Sequence, residues 1–225
     1  MWPCSAEVPM LFSSYNSKYV DGLQFVPVTF PYNVPDALLI ENLHVQQLIE
    51  YCNNKQIKKA FVQGFSDYSF LRACKCLEHI AIDLRLPFDA HAAQKSGTIL
   101  YDLRCMQALP NLRSIDIRVN ERPGYRAKVQ LDLSAIETLE QFCGAYQLVN
   151  GIENSVHLKT LRVRGVRAQN LDIFKKLISL DTAYISFSSI ESLAGLENFQ
   201  RLQCLYLINN RRLQDIDALC CVKDS

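Results

Sequence analysis

The chain has no long apolar run, no excess of charge of either sign and none of the common catalytic motifs. No stretch approaches the roughly 20 apolar residues that span a bilayer, so no membrane-crossing helix is expected. The N-terminal stretch Met1-Trp2-Pro3-Cys4-Ser5-Ala6-Glu7 lacks a basic start and an apolar segment, so no secretory signal is expected and a cytoplasmic protein is anticipated. Lys and Arg number 24 against 23 Asp and Glu, a net charge of +1. Without a basic excess, no overall field draws the protein to nucleic acid or to an anionic membrane. Dinucleotide-binding, phosphate-loop, zinc-protease and nucleophile-elbow signatures are all missing. Lys95-Ser96-Gly97-Thr98 has residue types of a phosphate loop, but in the wrong order. The four histidines, His44, His79, His91 and His157, do not stand at metal-ligand spacing, and no metal or other cofactor is expected. Cysteine, by contrast, is plentiful: there are nine. No pair is spaced Cys-x-x-Cys, and the reading is buried thiols in a reducing compartment.

A repeat is present. Leu158, Leu180 and Leu202 follow one another at intervals of 22 residues. Each opens the same pattern of an apolar residue, two free positions, an apolar residue, one free position and an apolar residue. The copies read Leu158, Leu161, Val163, then Leu180, Ala183, Ile185, then Leu202, Leu205, Leu207. Alternation with period two predicts a strand with one buried face. The intervening segments have period three, as in Leu171, Phe174, Leu177 or in Ile190, Leu193, Leu196, Phe199. That spacing suits a 3₁₀-like return. A strand and a return in 22 residues make one coil, and a coil cannot bury its apolar face alone, so coils must stack.

The template also fits at Ile57, at Leu77 and at Leu112, where Asn120 stands eight places after Leu112 as Asn210 does after Leu202. The 35 residues from Leu77 to Leu112 exceed one repeat, and residues 86–98 are read as an inserted loop. Between residues 112 and 158 the register is weak. Val129 and Leu131 look like strand positions there, and one or two coils would fit, for about seven coils in all. Residues 1–56 do not repeat; an extended segment followed by an amphipathic helix carrying Leu39, Ile40, Leu43, Leu48, Ile49 and Cys52 is expected to cap a solenoid spanning 57–225.

The segment Leu202-Gln203-Cys204-Leu205-Tyr206-Leu207-Ile208-Asn209-Asn210, with the 22-residue period, resembles the leucine-rich repeat family in its short-repeat class. The copies at 158 and 180 carry Val166 and Ser188 where that family has asparagine. The resemblance implies an α/β solenoid with a parallel strand ribbon on the concave face and short helical or 3₁₀ returns on the convex face. It also implies a protein-binding module and no enzyme. Within this class of function a toxin-neutralising immunity protein is preferred to an intracellular scaffold or adaptor subunit.

Strand alternation identifies the residues facing outward on the concave side. The middle outward position reads Phe61, Ala81, Asp116, Arg162, Tyr184, Tyr206, and two residues later come Gln63, Asp83, Arg118, Arg164, Ser186, Ile208. Tyrosine and arginine combine large contact area with directional hydrogen bonding, which protein-binding hot spots favour. Phe61, Asp116, Arg118, Arg162, Arg164, Tyr184 and Tyr206 are therefore the candidate partner-binding residues. Two other readings compete. A basic zone of Lys159, Arg162, Arg164, Arg167, Lys175 and Lys176 would suit nucleic acid, and His79, Asp83, His91, Lys95 and Ser96 border one coil and could assemble an active site. The sequence does not determine the oligomeric state.

Overall fold

The computed structural model describes residues 17–28, 34–41, 45–84, 97–119 and 125–221. Twelve strands and one α-helix are placed in these segments. The strands are β1 (Lys18–Val20), β2 (Leu23–Val28), β3 (Val34–Ile40), β4 (Lys59–Gln63), β5 (His79–Leu84) and β6 (Gly97–Asp102). They continue as β7 (Ser114–Val119), β8 (Tyr125–Gln130), β9 (Gln141–Ala145), β10 (Thr160–Arg164), β11 (Thr182–Ser186) and β12 (Cys204–Ile208). The helix α1 spans Val45–Asn54.

Ten strands form one sheet in the order β1-β2-β3-β4-β5-β7-β9-β10-β11-β12. The first three are antiparallel, turned at Asp21-Gly22, where both residues have positive φ as a tight hairpin turn requires. From β3 onward every pairing is parallel. Lys59, His79, Ser114, Gln141, Thr160, Thr182 and Cys204 stand side by side, giving coil lengths of 20, 35, 27, 19, 22 and 22 residues.

The period-three segments are 3₁₀ turns, including Ser69–Ala73, Arg104–Ala108, Leu171–Phe174 and Leu196–Asn198. Three residues per turn put positions i and i+3 on one side, so Tyr68, Leu71 and Cys74, or Leu103, Met106 and Leu109, all enter the core. That core is one continuous stack running from Phe25 to Phe199 and lying between the ribbon and the returns. Asn210 ties the last coil to the one before it. Its side chain accepts from the Ser188 N–H and donates to the Ile185 carbonyl, both at 2.9 Å. In the preceding coil Ser188 does similar work, accepting from the Val166 N–H at 3.1 Å.

Two sequence expectations about the elements need correction, and two others gain detail. Leu39 and Ile40 lie in β3 rather than in a helix; they continue the sheet, and α1 begins only at Val45. The region between 112 and 158, where one or two coils would fit, holds two, with the ribbon strand between them at Gln141–Ala145. That strand was hidden because Gly144 occupies an inward position usually apolar; the Phe142 ring takes the space, approaching to 2.9 Å of where a Cβ would stand. Val129, read as a strand position, does lie in a strand, β8, which among the described residues pairs with β6 in a second, two-stranded parallel sheet rather than joining the ribbon. Residues 97 and 98, assigned to the loop, open β6. The remainder of that loop from 86 to 96, together with Asn120 and Leu43, lies outside the described residues.

Candidate functional site

The ribbon sets the middle outward residues in a single row. In register these are Leu39, Phe61, Ala81, Asp116, Cys143, Arg162, Tyr184 and Tyr206. Parallel pairing holds successive side chains about 4.8 Å apart, so each touches its neighbours.

The two ends of the row differ. Phe61 is 1% exposed and lies in a second apolar cluster with Val26, Ala37 and Ala81, on the face opposite the main core. It was expected as a surface contact, but its side chain is filled in by apolar neighbours from β2, β3 and β5. Asp116 is also buried, with its carboxylate held by Arg118 through Nε at 2.9 Å and Nη2 at 2.6 Å. Burial pushes the Asp116 carboxyl above its ordinary range while the Arg118 guanidinium pulls it down. Next in the row, Cys143 hydrogen-bonds Asp116, and burial raises its thiol well above normal, which removes it as a nucleophile at neutral pH. Sequence reasoning missed Cys143, together with Gln141 and Ala145 on the same strand. The available signal was Leu139-x-x-Phe142, the same opening as Leu158-x-x-Leu161.

From Arg162 on, the row is a stack of planar groups. The Arg162 guanidinium carbon sits 3.7 Å from the Tyr184 ring centroid. The Tyr184 and Tyr206 rings are parallel within 2°, with centroids 4.1 Å apart. Tyr206 is hydrogen-bonded to Tyr184, which raises its phenol above the ordinary value, and it remains 43% exposed. Arg164 is exposed on β10, next to Ser186 of β11. Arg162, Arg164, Tyr184 and Tyr206 are thus brought together, whereas Phe61, Asp116 and Arg118 lie upstream in buried or half-buried surroundings.

The other candidate sets are dispersed. Lys159 pairs with Glu140 at 3.1 Å, and Lys176 donates to Asn154 Oδ1 at 2.9 Å on the return side, away from Arg162. His79 and Asp83 share the outward face of β5, while His91, Lys95 and Ser96 lie outside the described residues. Among the described residues no group of three or more His, Cys, Asp or Glu side chains could hold a metal ion, and no helix is long and apolar enough to cross a membrane.

This geometry, parallel strands on one side and 3₁₀ returns on the other, stacked at steps near 22 residues, settles the architecture. The fold is a leucine-rich repeat solenoid. No protein-family model matches the chain, and no curated protein does. Solved structures of similar shape include an internalin C2 from Listeria monocytogenes, 16% identical with TM-score 0.44, over 67% of this chain and 61% of that one. Another is a Listeria monocytogenes internalin, InlF, 13% identical with TM-score 0.44, over 79% and 58%. A third is TLR13 in a complex with ssRNA13, 14% identical with TM-score 0.46, over 77% and 30%. The chain thus spans less than two thirds of each of these three.

Proposed function

We propose that this leucine-rich repeat chain is a binding module that takes a partner protein on the concave face of β9–β12. The observation that carries the reading is the Arg162–Tyr184–Tyr206 stack. Register pre-positions three large planar groups at adjacent outward positions, and the exposed Tyr206 ring that ends the stack needs no rearrangement to be covered. Arg164 extends that surface with a planar, multidentate hydrogen-bond donor. The inert Cys143 thiol favours binding over catalysis. Phe61, Asp116 and Arg118 act in this reading as the support of the upstream face. The 22-residue steps at β10–β12 favour the short-repeat class, and the burial of Cys52, Cys74 and Cys105 as apolar side chains supports a reducing, cytoplasmic setting.

The test is affinity capture from the native host with wild type and with a Tyr184→Ala/Tyr206→Ala variant of matched thermal stability. One protein retained by the wild type and lost by the variant supports the reading. Equal retention by both moves the site off the stack. The identity of the captured protein then separates a toxin-neutralising immunity role from an adaptor role.

A further inference from the structure

The backbone just past each of several ribbon strands takes a left-handed turn. Gly64 follows β4 with φ +82°, Gly165 follows β10 with φ +73°, Phe187 follows β11 with φ +50° and Asn209 follows β12 with φ +55°. Residues 165, 187 and 209 are separated by 22, so they are equivalent positions of three successive coils. Glycine and asparagine are the residue types that accept this conformation readily. A bulky aromatic residue there is a genuine outlier.

Folding gains little from Phe187. Its side chain is 66% exposed, among the most exposed of the large apolar residues described. Its N–H donates to the Ile208 carbonyl at 3.0 Å, a backbone bond that any residue could make. A strained backbone that displays an aromatic ring to solvent, at a position where the flanking coils carry glycine and asparagine, points to a ligand. Ile208, the residue that accepts the Phe187 N–H bond, is 49% exposed, and Tyr206 stands two residues before it on β12.

Charge identifies the ligand's character. The outward positions of β9–β12 hold Arg162 and Arg164 and no carboxylate. Arg167 and Arg211 follow the ends of β10 and β12 and are exposed. Carboxylates sit at the starts of the strands, where Glu140 is matched by Lys159 and Arg113, and Asp181 by Arg201, while past the strand ends Glu191 is matched by Arg212. The exit corner is therefore apolar and basic together, the complement of an apolar side chain flanked by acids.

We propose that Phe187, with Ile208 and Tyr206, forms an apolar anchor site that, with Arg164 and Arg167, receives an acidic protein segment bearing an aromatic or aliphatic side chain. This rests on the concave-face reading and gives it a partner chemistry and an additional contact residue.

A fluorescently labelled glutamate–tyrosine random copolymer serves as the probe, titrated against wild type, Phe187→Asn, Arg164→Glu and Tyr184→Ala/Tyr206→Ala. Phe187→Asn restores the residue type of the next coil, so its melting temperature is expected to equal or exceed that of wild type while copolymer affinity falls at least tenfold. Arg164→Glu is expected to weaken binding at least as much, and wild-type binding to decline with added salt. A clear drop in melting temperature of Phe187→Asn would show the ring to be structural and overturn the proposal. So would copolymer affinity unchanged in Phe187→Asn or Arg164→Glu, or tighter binding to a lysine–tyrosine copolymer or to polyuridylate. If Phe187→Asn binds normally while Tyr184→Ala/Tyr206→Ala loses its captured protein, the anchor site falls and the concave-face reading stands. If that variant also keeps its partner, both fall.

Discussion

Phe61 and Tyr206 occupy the same position of the same motif at opposite ends of one row, yet one is interior and the other faces solvent. Both are outward by strand alternation and both are held in parallel register with the strand before them. Phe61 has apolar side chains around it, Val26, Ala37 and Ala81, and joins a second core. Tyr206 has Tyr184 on one side and the edge of the ribbon on the other. Register thus fixes the direction of a side chain but not its exposure, and among the described middle outward residues exposure rises from the buried Phe61 to the open Tyr206. Each of the following predictions probes that difference.

The largest effect is expected at Phe61. Truncating a buried phenylalanine to alanine removes its transfer energy and leaves a cavity, so Phe61→Ala should lower unfolding free energy by about 3–5 kcal/mol in a urea titration. Partner capture by the folded fraction should persist. A cost below about 1 kcal/mol would mean that the upstream half is surface after all.

The main core allows the same comparison along its length. Leu161 is fully buried between flanking coils, whereas Leu207 is only partly covered in the last ribbon strand. Leu161→Ala should cost about 3 kcal/mol. Leu207→Ala should cost only about 1 kcal/mol, because less apolar area leaves water there on folding. Equal losses in two chemical denaturation curves would show that the edge coil is as well covered as the centre.

Asp116 marks the transition between the halves. Asp116→Ala leaves the Arg118 guanidinium in a largely buried place without its carboxylate, at a cost of about 2 kcal/mol. Asp116→Asn isolates the proton. Because burial raises the native pKa above the unfolded one, the carboxyl's contribution is fully present below about pH 3.9 and is lost as pH rises through the folded value. The stability of wild type relative to Asp116→Asn should therefore decline as pH increases across that window. A relative stability that climbs instead would show the ion pair to outweigh desolvation.

Much of the fold was legible because the repeat writes its two periods directly into the chain. Three coils at 158–208 match position by position, and the returns at 68–74 and 103–109 keep their three-residue spacing. The coil at 141 was obscured by a local compensation that sequence alone does not reveal, a glycine whose missing side chain is supplied by Phe142 two residues earlier. Strand β8 misled for another reason. Val129 and Leu131 are both buried, but β8 packs in the auxiliary pair with β6, and alternation cannot say which sheet a strand joins. The downstream stack was legible from register, since Arg162, Tyr184 and Tyr206 fall at matching positions of successive copies. Phe187 was not, because a positive φ leaves no mark on a phenylalanine codeword; only comparison with Gly165 and Asn209 at the same step could have raised the question.

The smallest expected effect concerns protonation, and it separates the halves most cleanly. His79 lies on β5, half-buried on the upstream face, with Lys59 beside it on β4 and Glu78, Arg113 and Glu140 around the strand starts. Burial lowers its pKa first, and the cations Lys59 and Arg113 add to that against the opposing carboxylates Glu78 and Glu140. A depressed imidazole favours the native state above about pH 6.5, and that contribution is lost as pH falls through the folded value. Wild type should thus lose a little stability between pH 7.5 and 5, and His79→Gln should flatten that slope in thermal melts taken across the range. The outward positions of β10–β12 contain no histidine and no carboxylate. Binding on the downstream half should accordingly stay constant over the interval in which upstream stability shifts. A partner affinity that tracks the His79 titration would tie the two halves together and place the binding surface across the whole row.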